Sequence, residues 1–394
     1  MNLNLPLEYR YAATYAGIRK DPGDDLALIV SDKPAHAAAV FTRNMVQAAP
    51  VRLARRHIRS SGGKLSAILV NAGNANCATR AGDKVAKLSC KATARALETK
   101  TEYILPASTG VIGVELDPKL ITEALPKLVS SLSANGFEQV ARAILTTDTR
   151  MKVASEQVTF ANGSVRIAGM TKGAGMIHPN MATTLGFVLT DAVLSAKELR
   201  GMLAAALDRS YHSLTVDGDM STNDTVVLAA NGASKLLLGR KERPAVQGAV
   251  TSVMESLARQ IAADGEGARK LIIVDAEGFK TDEDAKRIAR AISNSPLVKT
   301  AIAGSDPNWG RILSAAGYSG VVFNPNDVDV YLQGIRVCRA GRAADFDEAA
   351  LKSNLDTAEV HVRVVRSGWS KGHARFFTCD LTEGYIQING SYRT

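Results

Sequence analysis

The chain has 394 residues, 46% of them hydrophobic and 22% charged, with a formal net charge of +9. That balance argues against disorder and supplies enough apolar material for two or three domains. No apolar run approaches the roughly 20 residues needed to span a bilayer, and residues 1–6 lack a basic stretch followed by an apolar one. The expectation is a soluble cytoplasmic protein with no membrane partner.

Along the chain, four arginines cluster first, at Arg52, Arg55, Arg56 and Arg59. They have no aromatic interleaving, so no nucleic-acid partner is expected. The preferred reading is a solvated face. The alternative is a basic rim for an anionic small molecule such as an acyl-coenzyme A. Residues 65–70 (Leu-Ser-Ala-Ile-Leu-Val) then predict a buried strand, and about 82–97 a helix with Val85, Leu88 and Ala92 on one face. A strand at 103–105 runs into Ser108-Thr109-Gly110. Asp117-Pro118 starts another helix, and Ser195 with Glu198 forms a capping box for a helix at about 196–212. A helix at about 244–263 leads through Asp264-Gly265-Glu266-Gly267 to a strand at 271–274. Beyond it, 328–332, 359–365, 374–379 and 385–389 alternate as antiparallel strands would.

The expected class is therefore α/β, with helices layered around mixed, largely antiparallel sheets. No Gly-x-Gly-x-x-Gly or Walker-type loop follows a strand, so nucleotide cofactors are not expected. Cys77, Cys90, Cys338 and Cys379 are far apart and read as buried free thiols. The six histidines are dispersed, and no metal site is expected. Residues 217–224 (Asp-Gly-Asp-Met-Ser-Thr-Asn-Asp) suggest a calcium loop but fail it, because Thr222 stands where glycine is required and Leu228 where the bidentate glutamate should be. A structural hydrogen-bonding loop near the active site is the better reading.

The most informative stretch runs from Lys172 to Gly186: Lys-Gly-Ala-Gly-Met-Ile-His-Pro-Asn-Met-Ala-Thr-Thr-Leu-Gly. A glycine-rich approach puts the small Ala182 before Thr183, as a self-cleaving chain would need. A hydroxyl is a weak nucleophile at neutral pH. The α-amine of the same residue titrates near about 8 and can take its proton once the 182–183 peptide has broken. On the residues alone, an ordinary glycine turn entering a strand remains open, and Thr184 is a rival nucleophile.

This stretch resembles the cleavage segment of the ornithine acetyltransferase family, the glutamate N-acetyltransferases of arginine biosynthesis. Similar family blocks include Ala16-Gly17-Ile18-Arg19, residues 40–44 and 48–51, Asn71-Ala72-Gly73-Asn74-Ala75-Asn76, Thr146-Thr147-Asp148, residues 217–224 and 264–268, and residues 306–311. The likeness covers essentially the whole chain. It implies the aminopeptidase/ornithine acetyltransferase-like fold with a second, smaller α/β domain, and self-cleavage into a 1–182 α chain and a 183–394 β chain.

The resemblance further implies that Thr183 is the nucleophile and that Thr109 and Gly110 form an oxyanion hole. Thr146, Lys172, Thr183, Glu266, Asn389 and Thr394 would bind substrate. N-acetylornithine would donate its acetyl group to Thr183 and glutamate would accept it, in a ping-pong reaction without cofactor. Acetyl-coenzyme A is a candidate second donor. The assembly would be a heterotetramer of two α and two β chains. A related self-cleaving aminopeptidase or amidase is the enzyme rival, and a non-catalytic binding protein is the rival of another class. Thr184 departs from the family, where a larger apolar residue is common.

Overall fold

The computed structural model describes residues 3–178, 184–368 and 370–390. Its N-terminal part is built on β1 (Tyr9–Thr14), β2 (Leu26–Phe41), α1 (Ala49–Ser60), β3 (Lys64–Asn74), α2 (Gly82–Ala96), β4 (Ile104–Val111), α3 (Pro118–Ser130) and α4 (Phe137–Ala143). It continues through β5 (Lys152–Phe160), β6 (Gly163–Lys172), β7 (Leu185–Thr190), α5 (Ala196–Arg209), β8 (Thr225–Ala230) and α6 (Arg243–Ala263). Among the described residues the strands join in the order β4-β3-β2-β8-β7-β6-β5, with β1 also on β2.

Strand β2 is the hinge of this sheet. Its first half pairs with β1 and β3 and its second half with β8; the register with β3 shifts between Val30 and Ala35, around exposed Asp32, Lys33 and Pro34. A bend of this kind lets one strand pass between two packed layers. The core has that geometry. Ala27, Ile29, Ile68 and Val70 pack in one cluster with Phe187, Leu189, Val227 and Ala229 from the other half of the sheet.

Alternate residues on the same strands face outward onto helices. Leu26, Leu28 and Leu69 meet α2 and α3, whereas Val188, Val226 and Leu228 meet α5 and α6. This part of the molecule thus has four layers, helix, sheet, sheet, helix, with strands buried on both faces. This is why 65–70 reads as a continuous apolar run. The expected buried face of α2 differs. Leu88 is 39% exposed, and the helix packs instead through Val85, Ala86, Cys90 and Ala94. Small side chains allow that close approach, so size rather than hydrophobicity set the face. The Ser195–Glu198 capping box is present, but its helix ends at Arg209.

The C-terminal part is a smaller α/β unit with its own core. It comprises β9 (Leu271–Phe279), α7 (Asp282–Asn294), α8 (Pro296–Ala303), α9 (Trp309–Gly317), β10 (Val328–Leu332), β11 (Ile335–Arg339), β12 (Arg342–Ala343), α10 (Glu348–Leu355), β13 (Glu359–Arg366) and β14 (Gly372–Cys379). The sheet order is β12-β11-β10-β13-β9-β14.

One expectation fails here, and one strand pairing was not foreseen. β13 is antiparallel to β10 but parallel to β9, because α7 to α10 carry the chain over before it returns. Residues 385–389 are not a strand: they belong to α11 (Glu383–Asn389). Thr382 caps that helix, accepting from Gly384 N–H at 3.0 Å and donating to the Gly267 carbonyl at 2.6 Å. This tertiary contact outweighs a weak period-two pattern. All four cysteines are buried and free, as expected. No described helix is long and apolar enough to cross a membrane.

Candidate active site

Lys172 closes β6 directly across from Leu185, the first residue of β7. Residues 173–178 leave the sheet after Lys172. Ala182, Thr183 and Thr394, predicted as cleavage site, nucleophile and tail contact, lie outside the described residues. The other predicted residues, Thr109, Gly110, Thr146, Lys172, Glu266 and Asn389, line one cavity of about 320 Å³ beside this opening. Single-ligand pockets begin at about that size.

Lys172 organises one wall. Its buried ammonium donates to Thr146 Oγ1 at 2.7 Å and Thr109 Oγ1 at 3.2 Å, and lies 4.0 Å from Asp148 Oδ2. A hydroxyl carries a single hydrogen, so each threonine that accepts from the lysine keeps its own hydrogen for another acceptor. Burial pulls the Lys172 pKa below its ordinary value, while Asp148 pulls it back up. Gly110, at the end of β4, has φ +128°, and a Cβ there would lie 2.2 Å from the Gly73 carbonyl carbon. Only glycine lets β3 and β4 close to this distance.

Behind Lys172 lies a buried ionic cluster. Lys152 Nζ is 2.6 Å from Asp148 Oδ1 and 2.5 Å from Asp264 Oδ2, and Gly173 N–H donates to Asp148 Oδ1 at 2.6 Å. Burial alone would raise the Asp148 pKa; Lys172, Lys152 and these hydrogen bonds outweigh it and hold it at about 2. Asp264 also accepts from Thr149 and Arg150 N–H at 3.0 and 3.3 Å. One cluster therefore fixes the Thr146 loop, the start of the 173–178 segment and the loop that carries Glu266.

Glu266 forms the opposite pole. Its N–H donates to the Ala174 carbonyl at 2.8 Å, and Asn389 Nδ2 donates to its Oε2 at 2.7 Å. A Cβ on Gly175 would lie 2.2 Å from that Oε2, so glycine here makes room for the carboxylate. Gly267, with φ +71°, lets α11 approach until its missing Cβ would be 2.3 Å from Tyr385 N. Asp217 accepts from Met176 N–H at 2.6 Å, Ile177 N–H at 2.8 Å and Tyr385 OH at 3.2 Å. Burial raises the Asp217 pKa against these bonds.

The 217–224 stretch is thus a hydrogen-bonding loop at the site, as expected. Asn223 Nδ2 also ties it to the Ala75 and Ser108 carbonyls at 2.7 and 2.8 Å. Among the described residues, no group of three or more His, Cys, Asp or Glu side chains could hold a metal.

Thr184 is fixed elsewhere. It is buried, its N–H donates to Asp224 Oδ1 at 3.0 Å, and its hydroxyl donates to the Lys172 carbonyl at 2.7 Å. A backbone carbonyl cannot take up a hydroxyl proton, so Thr184 as held here has no base beside it in that bond. The sequence assigns no individual role to Asp148 or Tyr385, and places Asp217 and Asp224 only as members of the 217–224 loop. For Asp148 the available signal was the Thr146-Thr147-Asp148 run, which resembles a family block. Tyr385 carried none.

The model of the ArgJ family matches residues 10–394. The chain is 45% identical over 396 residues to an arginine biosynthesis bifunctional protein ArgJ of Thermus thermophilus, covering all of both chains. It is 43% identical to the protein of that name from Chlorobaculum tepidum, covering 97% of this chain and 95% of the other. A crystal structure of the protein of that name from Bacillus halodurans is 38% identical with a TM-score of 0.51, covering 52% of this chain and 98% of that one.

Proposed function

The chain belongs to the ArgJ family, and from that premise we propose that it is a self-processing acetyltransferase that moves an acetyl group from N-acetylornithine to glutamate. One observation carries this reading: a buried ammonium, Lys172, and a carboxylate, Glu266, face a single small cavity at the start of β7. Such a pair complements an amino acid, whose carboxylate would meet Lys172 and whose ammonium would meet Glu266.

Processing comes first. The Thr183 hydroxyl attacks the Ala182 carbonyl carbon, the 182–183 C–N bond breaks, and the acyl group moves from nitrogen to oxygen. Water then hydrolyses that ester, freeing the Ala182 carboxylate and the Thr183 amine and hydroxyl. In turnover the amine takes the hydroxyl proton as the oxygen attacks the acetyl carbon of N-acetylornithine. The same proton passes to departing ornithine. Glutamate reverses the sequence and leaves as N-acetylglutamate.

The Thr109 hydroxyl, polarised by Lys172, and the Gly110 N–H stabilise the oxyanion that develops in each step. Support for processing comes from length. A cut after residue 182 of 394 leaves a larger piece of just over half the chain, close to the 52% covered by the nearly complete Bacillus halodurans chain. Acetyl-coenzyme A is a second donor in this reading, the processed pieces assemble two and two, and the enzyme works in the cytoplasm without cofactor.

Incubation with N-acetylornithine, with and without glutamate, tests the reaction. N-acetylglutamate should form only when glutamate is present. Equal release of acetate in both samples would make the enzyme a hydrolase and overturn the proposal. Denaturing electrophoresis should show two pieces, the second beginning at Thr183, and Thr183→Ala should abolish cleavage and transfer together.

A further inference from the structure

A second concavity, about 820 Å³, opens on the edge of β2 away from the substrate cavity. The β2–β3 ladder ends at His36 opposite Lys64, and Ala37 N–H then donates to the Gly63 carbonyl at 2.7 Å. The β2–β8 ladder continues to Phe41 opposite Thr225. Along an antiparallel strand, every second residue turns both N–H and C=O to the same side. Ala39 and Phe41 therefore turn theirs, like Ala37, toward the side where β3 has stopped. No described backbone pairs with them there.

Four cations surround this open edge: Arg43, Arg55 and Arg59, the last two on α1, and Arg200 on α5. Among the described residues none of the four has a carboxylate partner. The Arg55 guanidinium lies 5.5 Å from the centre of the Phe41 ring and donates to the Thr42 carbonyl at 3.4 Å. Arg59 stands one turn further along α1. Gly63 lies against Ala196 at the start of α5, so Arg200, one turn on, belongs to the Ala37 end.

The geometry points to this groove as the binding site for the phosphorylated pantetheine of an acyl-coenzyme A. Arginines without carboxylate partners call for an occupant with several negative charges, and phosphates suit them. The free edge offers ladder positions only at Ala39 and Phe41, short for a peptide strand of five or six residues. It matches an arm with two amides. A second copy of the same edge would bring like charges together.

The inference rests on the reading that an acyl thioester serves as second donor, and adds where it sits. Phosphates lie at Arg59 and Arg200, and the thioester at the Phe41 end. Phe41, Thr225 and Leu185 are in register on three neighbouring strands, so that end is about 10 Å from the strand that follows Thr183. Asn44, whose Nδ2 donates to the Met220 carbonyl at 2.9 Å, joins the segment after Phe41 to Met220, which lines the substrate cavity. In transfer the Thr183 oxygen bonds to the acyl carbon, the carbon–sulfur bond breaks, and the hydroxyl proton leaves with the thiol.

Calorimetric titration of the processed enzyme with coenzyme A and with adenosine 3′,5′-bisphosphate tests the site. Arg59→Glu with Arg200→Glu should raise the Kd of both ligands at least about tenfold. Ala39→Pro removes an edge N–H that no ladder uses, a position proline tolerates. It should weaken coenzyme A about tenfold and leave the bisphosphate, which has no amide arm, unchanged.

Transfer from N-acetylornithine to glutamate should be unaltered in both variants. Unchanged coenzyme A binding in either variant, equal weakening of both ligands by Ala39→Pro, or no coenzyme A binding by the unsubstituted enzyme would overturn the site. Failure of the unsubstituted enzyme to acetylate glutamate from N-acetylornithine would count against the proposed reaction instead.

Discussion

Replacing Asp148 by Asn removes the charge that holds Lys152 and Lys172 together while keeping the side chain's shape. The Asp148 pKa falls from 3.8 to about 2 on folding, and its side chain is fully buried, so solvent screening does not reduce the effect. At about 1.4 kcal/mol for each pH unit between the two values, the fall to about 2 gives about 2 kcal/mol of stabilisation. Because the folded pKa lies below the unfolded value, that contribution is complete above about pH 4 and is lost as pH falls through 2. Roughly half is gone at pH 3.

Asn imitates the protonated acid, so Asp148→Asn should lose about 2 kcal/mol at pH 7 and lack this part of the acid slope. Urea unfolding of both proteins between pH 7 and pH 3, followed by circular dichroism, measures both quantities. A loss below about 0.5 kcal/mol, or an unchanged acid slope in the variant, would refute the assignment of Asp148 as the anchor of the two lysines.

Glu266→Gln should raise KM for N-acetylornithine at least about tenfold in steady-state assays, with cleavage unimpaired on denaturing gels, because it removes the charge proposed to face the substrate ammonium. Thr184→Val should cost about 1 kcal/mol in urea unfolding, from the lost bond to the Lys172 carbonyl, and N-terminal sequencing should still find Thr183 first. Asp217→Ala leaves the Met176 and Ile177 N–H groups without their acceptor just before the proposed cut, so the gel time course of processing should slow while N-terminal sequencing gives the same start.

The sequence alone determined what depends on local covalent chemistry and on apolar content. The Ala182–Thr183 junction, the Ser195–Glu198 capping box and the buried strand at 65–70 are properties of neighbouring residues, and the last two are where the chain predicted them. Family resemblance supplied the membership of the cavity, and six of its residues do meet there. Tertiary structure alone decided the rest. Nothing local tells that Lys152 reaches Asp264 across 112 positions, or that Asp217 holds a segment 40 residues earlier.

Residues 385–389 show the reason. An alternating pattern of five residues is too short to fix a secondary structure by itself, and the bond from Thr382 to the Gly267 carbonyl, with the missing Cβ of Gly267, made it a helix. The open edge of β2 is likewise invisible in Ala37 to Phe41. Strand identity is written in a strand's own residues, but whether its hydrogen bonds are met depends on where β3 begins.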